Sequence, residues 1–487
     1  MLGLPPEIQG EIFASAHRDN SDDRALLLPV EVTLTHVCSG WRNIAMNLPI
    51  LWMAFKFDAS PFSDSPLIKL KKYLLRCQSL LKVYLFRSKT KLLELYFDLY
   101  DCQEWDSDCD ALFAQLLAIA AAHARRWRRF SLFTLTVRSE FIERFEQVNA
   151  PNLEYFAMCL GSDLHRIKDP EDIRPSVLIE GAPKLSVIRI DTTSHFHSLP
   201  PLSNVTTLTI QDTAEANEHL YSFRTFRSIL MIPTLTNLSI ESCGPEDLQS
   251  LGDPDLLPRI VMPSLKTLRM TEDYDVLGIL SLLDAPLLET LVLHDLDLKA
   301  LYIGHANVDK ITPFQNLNTI ALLDSYYDRD PSSGDDGFPL VIMMLNKLAC
   351  CATHIVISSL HNPLWINSDP NLLDFDKHDW PQLKCITLDV SSADGDDPFR
   401  FIKNIGRSPH SLTIRVSEPL LEHRSKAESD SWTRLEKICK LEAMKVGDLT
   451  MNGYWPVPGG IFHEDGNFPC VRWGESIRTR GPLEFDE

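Results

Sequence analysis

The sequence lacks any apolar run long enough to cross a bilayer; the longest, such as residues 111–122, is short and interrupted. Its N-terminus lacks the basic stretch followed by an apolar one that marks a secretory signal. Cysteine occurs as 11 scattered residues, an odd number without framework spacing, so a disulfide scaffold is not expected. Positive charge is in deficit: 47 Lys and Arg face 67 Asp and Glu, for a net charge of −20. That balance speaks against general nucleic-acid binding and otherwise favours solubility. The expectation is a cytoplasmic or nuclear protein with neither nucleic acid nor membrane as a partner.

Recognisable catalytic chemistry is missing too. No glycine-rich phosphate loop, paired-cysteine metal motif or nucleophile elbow occurs. His195-Phe196-His197 places two imidazoles on one side of an extended segment but has no third or fourth ligand nearby. Cys350-Cys351 reads as a pair of buried, inert thiols in an apolar strand-like context. The acidic stretches 332–337 and 391–397 are dense in oxygen donors without the spacing of a calcium loop, and read as surface insertions. Neither catalysis, a metal nor a cofactor is expected of this chain.

What is present is enough apolar residue for a continuous core, 44% of 487 positions. Near the N-terminus, Pro5 and Pro6 suit a first helical turn and Glu7 sits well against the helix dipole. Ile8, Ile12 and Phe13 fall on one side of that short helix. Thr33 or Thr35 can cap a second helix carrying Leu34, Val37, Trp41, Ile44 and Ala45, which Pro49 stops before Leu51 and Trp52. The polar run 17–24 between them reads as a solvated loop. A fold of about 55 residues buries too little surface to be strongly stable alone. Trp41 and Trp52 therefore either fill this small core or face a partner, and spacing alone leaves both readings open.

The run Leu4-Pro5-Pro6-Glu7-Ile8-Gln9-Gly10-Glu11-Ile12-Phe13, answered by Val37-Cys38-Ser39-Gly40-Trp41 and by Leu51-Trp52, resembles an F-box. The resemblance implies a helical module that docks on the Skp-family adaptor of a cullin ubiquitin ligase. It places Leu4, Pro5, Ile8, Ile12, Phe13, Val37, Trp41, Ile44, Leu51 and Trp52 at or near that adaptor. The transfer of ubiquitin to a lysine would then belong to other subunits.

Farther along, a phrase returns six times: Pro151, Pro183, Pro233, Pro263, Pro286 and Pro381 are each followed, two residues later, by leucine and then by alternating apolar positions. Chance would supply about one such phrase, given how often proline and leucine occur. Looser copies begin at Leu80, Trp127, Val205, Leu317, Ala352, Ser411 and Leu441. From Trp127 onward the anchors lie 20 to 35 residues apart. That period resembles leucine-rich repeats, in which each unit adds one strand to a curved parallel sheet and a segment such as 275–283 returns as a helix. The asparagine or cysteine that such repeats carry eight residues after the anchor occurs only at Cys243, so other hydrogen bonds must hold the turns. The pairing of motifs is similar to that of the F-box-like proteins of mushroom-forming fungi.

The expected fold is α/β: a helical F-box-like module over 1–57, an irregular leucine-rich-repeat solenoid over 67–446, and a cap or loose tail over 447–487. The expected function is substrate receptor of an SCF-type ubiquitin ligase; the alternative is a non-ligase interaction scaffold on the same solenoid. In the repeat frame the residues between the leucine positions project from the concave face, and read this way none is Asp or Glu. Arg129, Arg189, Arg269 and Arg415 fall among them, with the pairs Lys82/Tyr84 and Ala443/Lys445 at the two ends. Such a stripe is either ordinary strand composition or a weakly basic surface for an acidic or phosphorylated target segment.

Overall fold

The computed structural model describes residues 4–19, 29–62, 65–99, 105–134, 139–160, 174–191, 199–211, 223–241, 257–271, 276–294, 296, 313–323, 345, 347–348, 350–359, 381–390, 412–417 and 439–444. The histidine pair at 195–197, both acidic stretches and the expected cap over 447–487 lie outside them. The described residues form a mixed α/β chain with eight helices and a large, open parallel sheet of 14 strands. Two compact units divide it, the first ending at Ala120 apart from a short return near Phe133.

In the first unit, α1 (Pro6–Asp19) opens on proline, and its buried side carries Gln9, Gly10, Phe13, Ala14 and His17. The second helix expected from spacing is two helices, α2 (Val30–Val37) and α3 (Ser39–Asn47). Cys38 breaks them with an extended backbone, and its Sγ accepts the Trp41 amide at 3.4 Å as the cap of α3. Thr33 and Thr35 sit inside α2, Thr33 donating to the Pro29 carbonyl just before the helix and Thr35 to the Val32 carbonyl within it. His17 continues α1 rather than joining a solvated loop, and is buried against Glu31 at 3.1 Å.

A 3-10 turn (Pro49–Trp52) leads into β1 (Ala54–Asp58), which pairs in parallel with β2 (Leu93–Leu99) from Ala54↔Glu94 to Asp58↔Asp98. Between these strands runs α4 (Leu67–Arg87). The strand expected at 80–85 is therefore the end of a helix. The physical reason is visible in the residues: α4 has neither glycine nor an internal proline, and only Ile68 and Val83 are β-branched. Its buried side chains, Leu70, Leu74, Cys77, Leu81, Tyr84 and Leu85, recur at three- and four-residue steps. Tyr84 donates to Glu31, and Trp52 meets the Tyr84 ring edge-on at 5.1 Å. The boundary expected between 57 and 67 thus falls among paired elements, and the chain divides near Ala120 instead. Helix α5 (Ser107–Ala121) covers β1 and β2 through Phe113, whose ring lies 5.6 Å from Phe57 and 6.1 Å from Phe97.

The second unit is carried by strands in sequence order. They are β3 (Trp127–Thr134), β4 (Tyr155–Leu160), β5 (Val187–Asp191), β6 (Thr207–Gln211), β7 (Asn237–Glu241) and β9 (Thr267–Thr271), followed by β11 (Thr290–His294), β12 (Thr319–Leu323), β13 (His354–Ser359), β14 (Cys385–Val390), β15 (Thr413–Ser417) and β16 (Lys440–Met444). A separate two-stranded pair joins β8 (Ile260–Val261) to β10 (Leu283–Asp284). Helices α6 (Ser139–Glu146), α7 (Phe223–Leu230) and α8 (Val276–Leu282) are the described returns. The strand pairings keep the apolar positions in register: Ile188, Leu208, Leu238, Leu268, Leu291, Ile320, Ile355, Ile386 and Ile414 form one buried row. Each such side chain contributes about 1.5–3 kcal/mol when fully buried.

The recurring proline serves a turn, not the start of a strand. Pro151, Pro183, Pro233, Pro263 and Pro286 occupy the second position of a four-residue turn closed by the anchor leucine, whose N–H donates to the carbonyl before the proline at 3.0–3.3 Å. The third residue of such turns then bonds to a carbonyl of the preceding segment: Asn152 to Arg125 at 2.9 Å, Ser264 to Pro233 at 2.8 Å and, in a turn with Gln315 in place of the proline, Asn316 to Pro286 at 2.7 Å. These bonds tie successive repeats together.

Candidate functional site

Two surfaces carry the residues singled out from the sequence. The first is the helical start of the first unit. Leu4 is 40% exposed, Ile8 48% and Val37 55%, and Met46 and Ile50 are exposed as well. Pro5 is exposed, while Ile12, Trp41 and Ile44 are half-buried. Phe13, Leu51 and Trp52 instead fill the interior. Phe13 packs on Trp41 with ring centroids 4.9 Å apart, and the Trp52 indole N–H donates to the Ala45 carbonyl at 2.8 Å. Of the ten residues expected at an adaptor, these three can act only by shaping the helices beneath it. Scattered exposed apolar residues are ordinary on a protein surface, but here they recur on three consecutive short helices and the turn after them.

The second surface is the sheet face opposite the buried leucine row. Its register rows differ from the frame read off the sequence in two places. Beyond Arg189, Thr209, Ser239 and Arg269 the strands continue one alternation farther, bringing Asp191, Gln211, Glu241 and Thr271 onto the same face. At the far end Glu442 pairs in register with Arg415 and Lys440 with Thr413, where the sequence frame set Lys445 and Ala443. The expectation of a face without acids is therefore corrected: the sequence frame stopped one step short in the middle strands and slipped by three residues in the last.

Arg189 and Arg269 are both buried, and both engage Glu241, at 3.3 and 3.1 Å. Arg189 also donates from Nε to Gln211 at 2.7 Å, and Ser239 donates to Glu241 at 3.1 Å. Burial opposes ionisation of Glu241, but the two guanidiniums beside it prevail and hold its carboxyl below the usual glutamate range. Arg129 is buried with its guanidinium 4.5 Å over the Tyr155 ring. Arg415 is exposed and holds Glu442 at 3.1 Å, where Lys440 also reaches at 2.6 Å. Farther along, the face is apolar, with Val292, Ala321, Leu323 and Val356 clustered and buried. The four arginines thus stand on one face without forming a single stripe of free charge.

At the N-terminal end, the expected concave pair Lys82/Tyr84 belongs to α4, with Tyr84 buried on Glu31 and Lys82 exposed. Cys350 and Cys351 are half-buried turn residues, with sulfurs 3.8 Å apart. Among the described residues no group of three or more His, Cys, Asp or Glu is arranged to hold a metal ion, and no helix is long and apolar enough to cross a membrane. No family model matches the chain, and no curated protein matches it.

Proposed function

We propose that this chain is a substrate receptor of an SCF-type ubiquitin ligase, holding a Skp-family adaptor with its first three helices and a target protein with an irregular leucine-rich-repeat solenoid. The observation that carries the reading is the exposure of Leu4, Ile8 and Val37, the positions where the F-box-like motif calls for apolar contact. The single-register leucine row and the repeated turn support the repeat half. In this reading the adaptor end is apolar and the receptor performs no chemistry of its own. Target recognition does not rest on Arg189 and Arg269, which are buried and held by Glu241; of the four arginines Arg415 is the exposed one, and an acidic or phosphorylated segment would have to compete there with Glu442.

Co-purification of the full chain with a Skp-family adaptor tests the proposal. A stable stoichiometric complex is the expected result. Failure of the two purified proteins to associate would leave the scaffold reading in its place.

A further inference from the structure

Helix α4 has a second side that the core does not use. Between Leu67 and Leu93 there is not one Asp or Glu, in a chain whose net charge is −20. Of the six bases on α4, Lys71 pairs with Asp106 and Asp108 at 2.6 and 2.7 Å, and Arg87 lies 4.3 Å over the Trp52 ring. Lys69, Lys72, Arg76 and Lys82 are exposed and make no ion pair with any described residue. Beside them, Ile68 is 67% exposed, Leu75 51% and Phe86 85%.

The spacing of these residues is specific. Ile68, Lys72, Leu75, Ser79, Lys82 and Phe86 follow one another by four, three, four, three and four residues, and all six are exposed. That alternation is the seam of two packed helices. It runs about 27 Å along the helix at 1.5 Å per residue. Three seam positions are large and apolar; two are lysine; Lys69 and Arg76 flank it.

We propose that this face of α4 docks an acidic amphipathic helix of a partner protein, with the partner's apolar residues against Ile68, Leu75 and Phe86 and its carboxylates against Lys72, Lys82 and Arg76. Charge complementarity decides for this occupant over an anionic lipid surface. A membrane-lying helix keeps its cations at the edges of the apolar face. Here Lys72 and Lys82 stand on the centre line, where insertion would drive them into the apolar layer. A protein partner can place carboxylates opposite them, and a chain of net charge −20 is repelled by an anionic bilayer as a whole. The proposal stands apart from the adaptor reading, since it uses none of the residues on α1 to α3.

The test uses the full chain and a synthetic helix of 21 residues, about the length of α4, with leucines at four-three spacing and glutamates between them. A scrambled peptide of equal composition and vesicles of phosphatidylserine and phosphatidylcholine are the other arms, with binding read by fluorescence polarisation and by sedimentation. The patterned peptide should bind at least about tenfold tighter than the scrambled one, and K72E/K82E should lose about that factor. A peptide with lysines in place of its glutamates should restore binding to K72E/K82E, which separates lost charge from lost fold. L75S/F86S should bind neither peptide while keeping the wild-type circular dichroism. Equal binding of patterned and scrambled peptides, binding to vesicles in place of peptide, or no binding of the patterned peptide would each overturn the proposal.

Discussion

Glu241 on β7 binds Arg269 on the neighbouring strand at 3.1 Å, on a face where the sequence frame placed no acid at all. The same carboxylate takes Arg189 from the other side at 3.3 Å. Removing one partner of a buried charge network strands the others without water or counter-charge. Glu241→Ala should therefore destabilise the chain by about 3–5 kcal/mol, measured by urea unfolding. A cost of about 0.5 kcal/mol or less, the range of ordinary surface substitutions, would mean that the arginines reach solvent.

The same cluster sets a dependence on pH. The folded carboxyl of Glu241 is held below its ordinary value of 4.5 by two guanidiniums that outweigh its burial. Its ionisation therefore favours the fold above that ordinary value, and the contribution is lost as pH falls through the lower folded one. Glu241→Gln should flatten this part of the acid limb in unfolding titrations between about pH 6 and pH 3. An unchanged slope would place the acid sensitivity in other carboxylates.

Much of the second unit was legible from its residues. Leucine positions such as Leu238 and Leu268 stack because alternation in a strand and a repeated period leave them one place to go. The first unit was less legible. The apolar spacing of 80–85 fits a strand and a helix alike, and only the absence of breakers over 67–87 favours the helix that forms. Cys38 could not be foreseen as a cap from helical periodicity, because Trp41 and Ile44 continue the pattern across the break. Partnership on the sheet face was hidden for a different reason: Arg189 and Glu241 lie 52 residues apart, and their contact depends on register across two pairings.

The turn bonds between repeats make a local prediction. Asn316→Ala removes a 2.7 Å bond to the Pro286 carbonyl, and should cost about 0.5–1.5 kcal/mol in thermal or urea unfolding. Substituting Ala for the neighbouring turn residue Gln315, which makes no such bond among the described residues, serves as the control.

Removing residues 1–58 tests where the first unit ends. The deletion strips β1 from β2 and Glu31 from Tyr84, exposing Leu95 and Phe97. Aggregation on size-exclusion chromatography is expected, as an uncovered apolar strand edge invites pairing between chains. A monomeric, cooperatively unfolding product would place an independent domain boundary between residues 57 and 67.

The most direct test of the receptor reading is calorimetric titration of a purified Skp-family adaptor with the full chain and with Ile8→Asp and Val37→Asp. Both residues are exposed, so both variants should keep the wild-type unfolding midpoint, whereas Trp52→Ala should lose about 3–5 kcal/mol of stability. The account predicts a stoichiometric complex with the wild-type chain, weakened by about 2 kcal/mol or more in each aspartate variant. No measurable binding by the wild-type chain, or equal binding by all three, would contradict it.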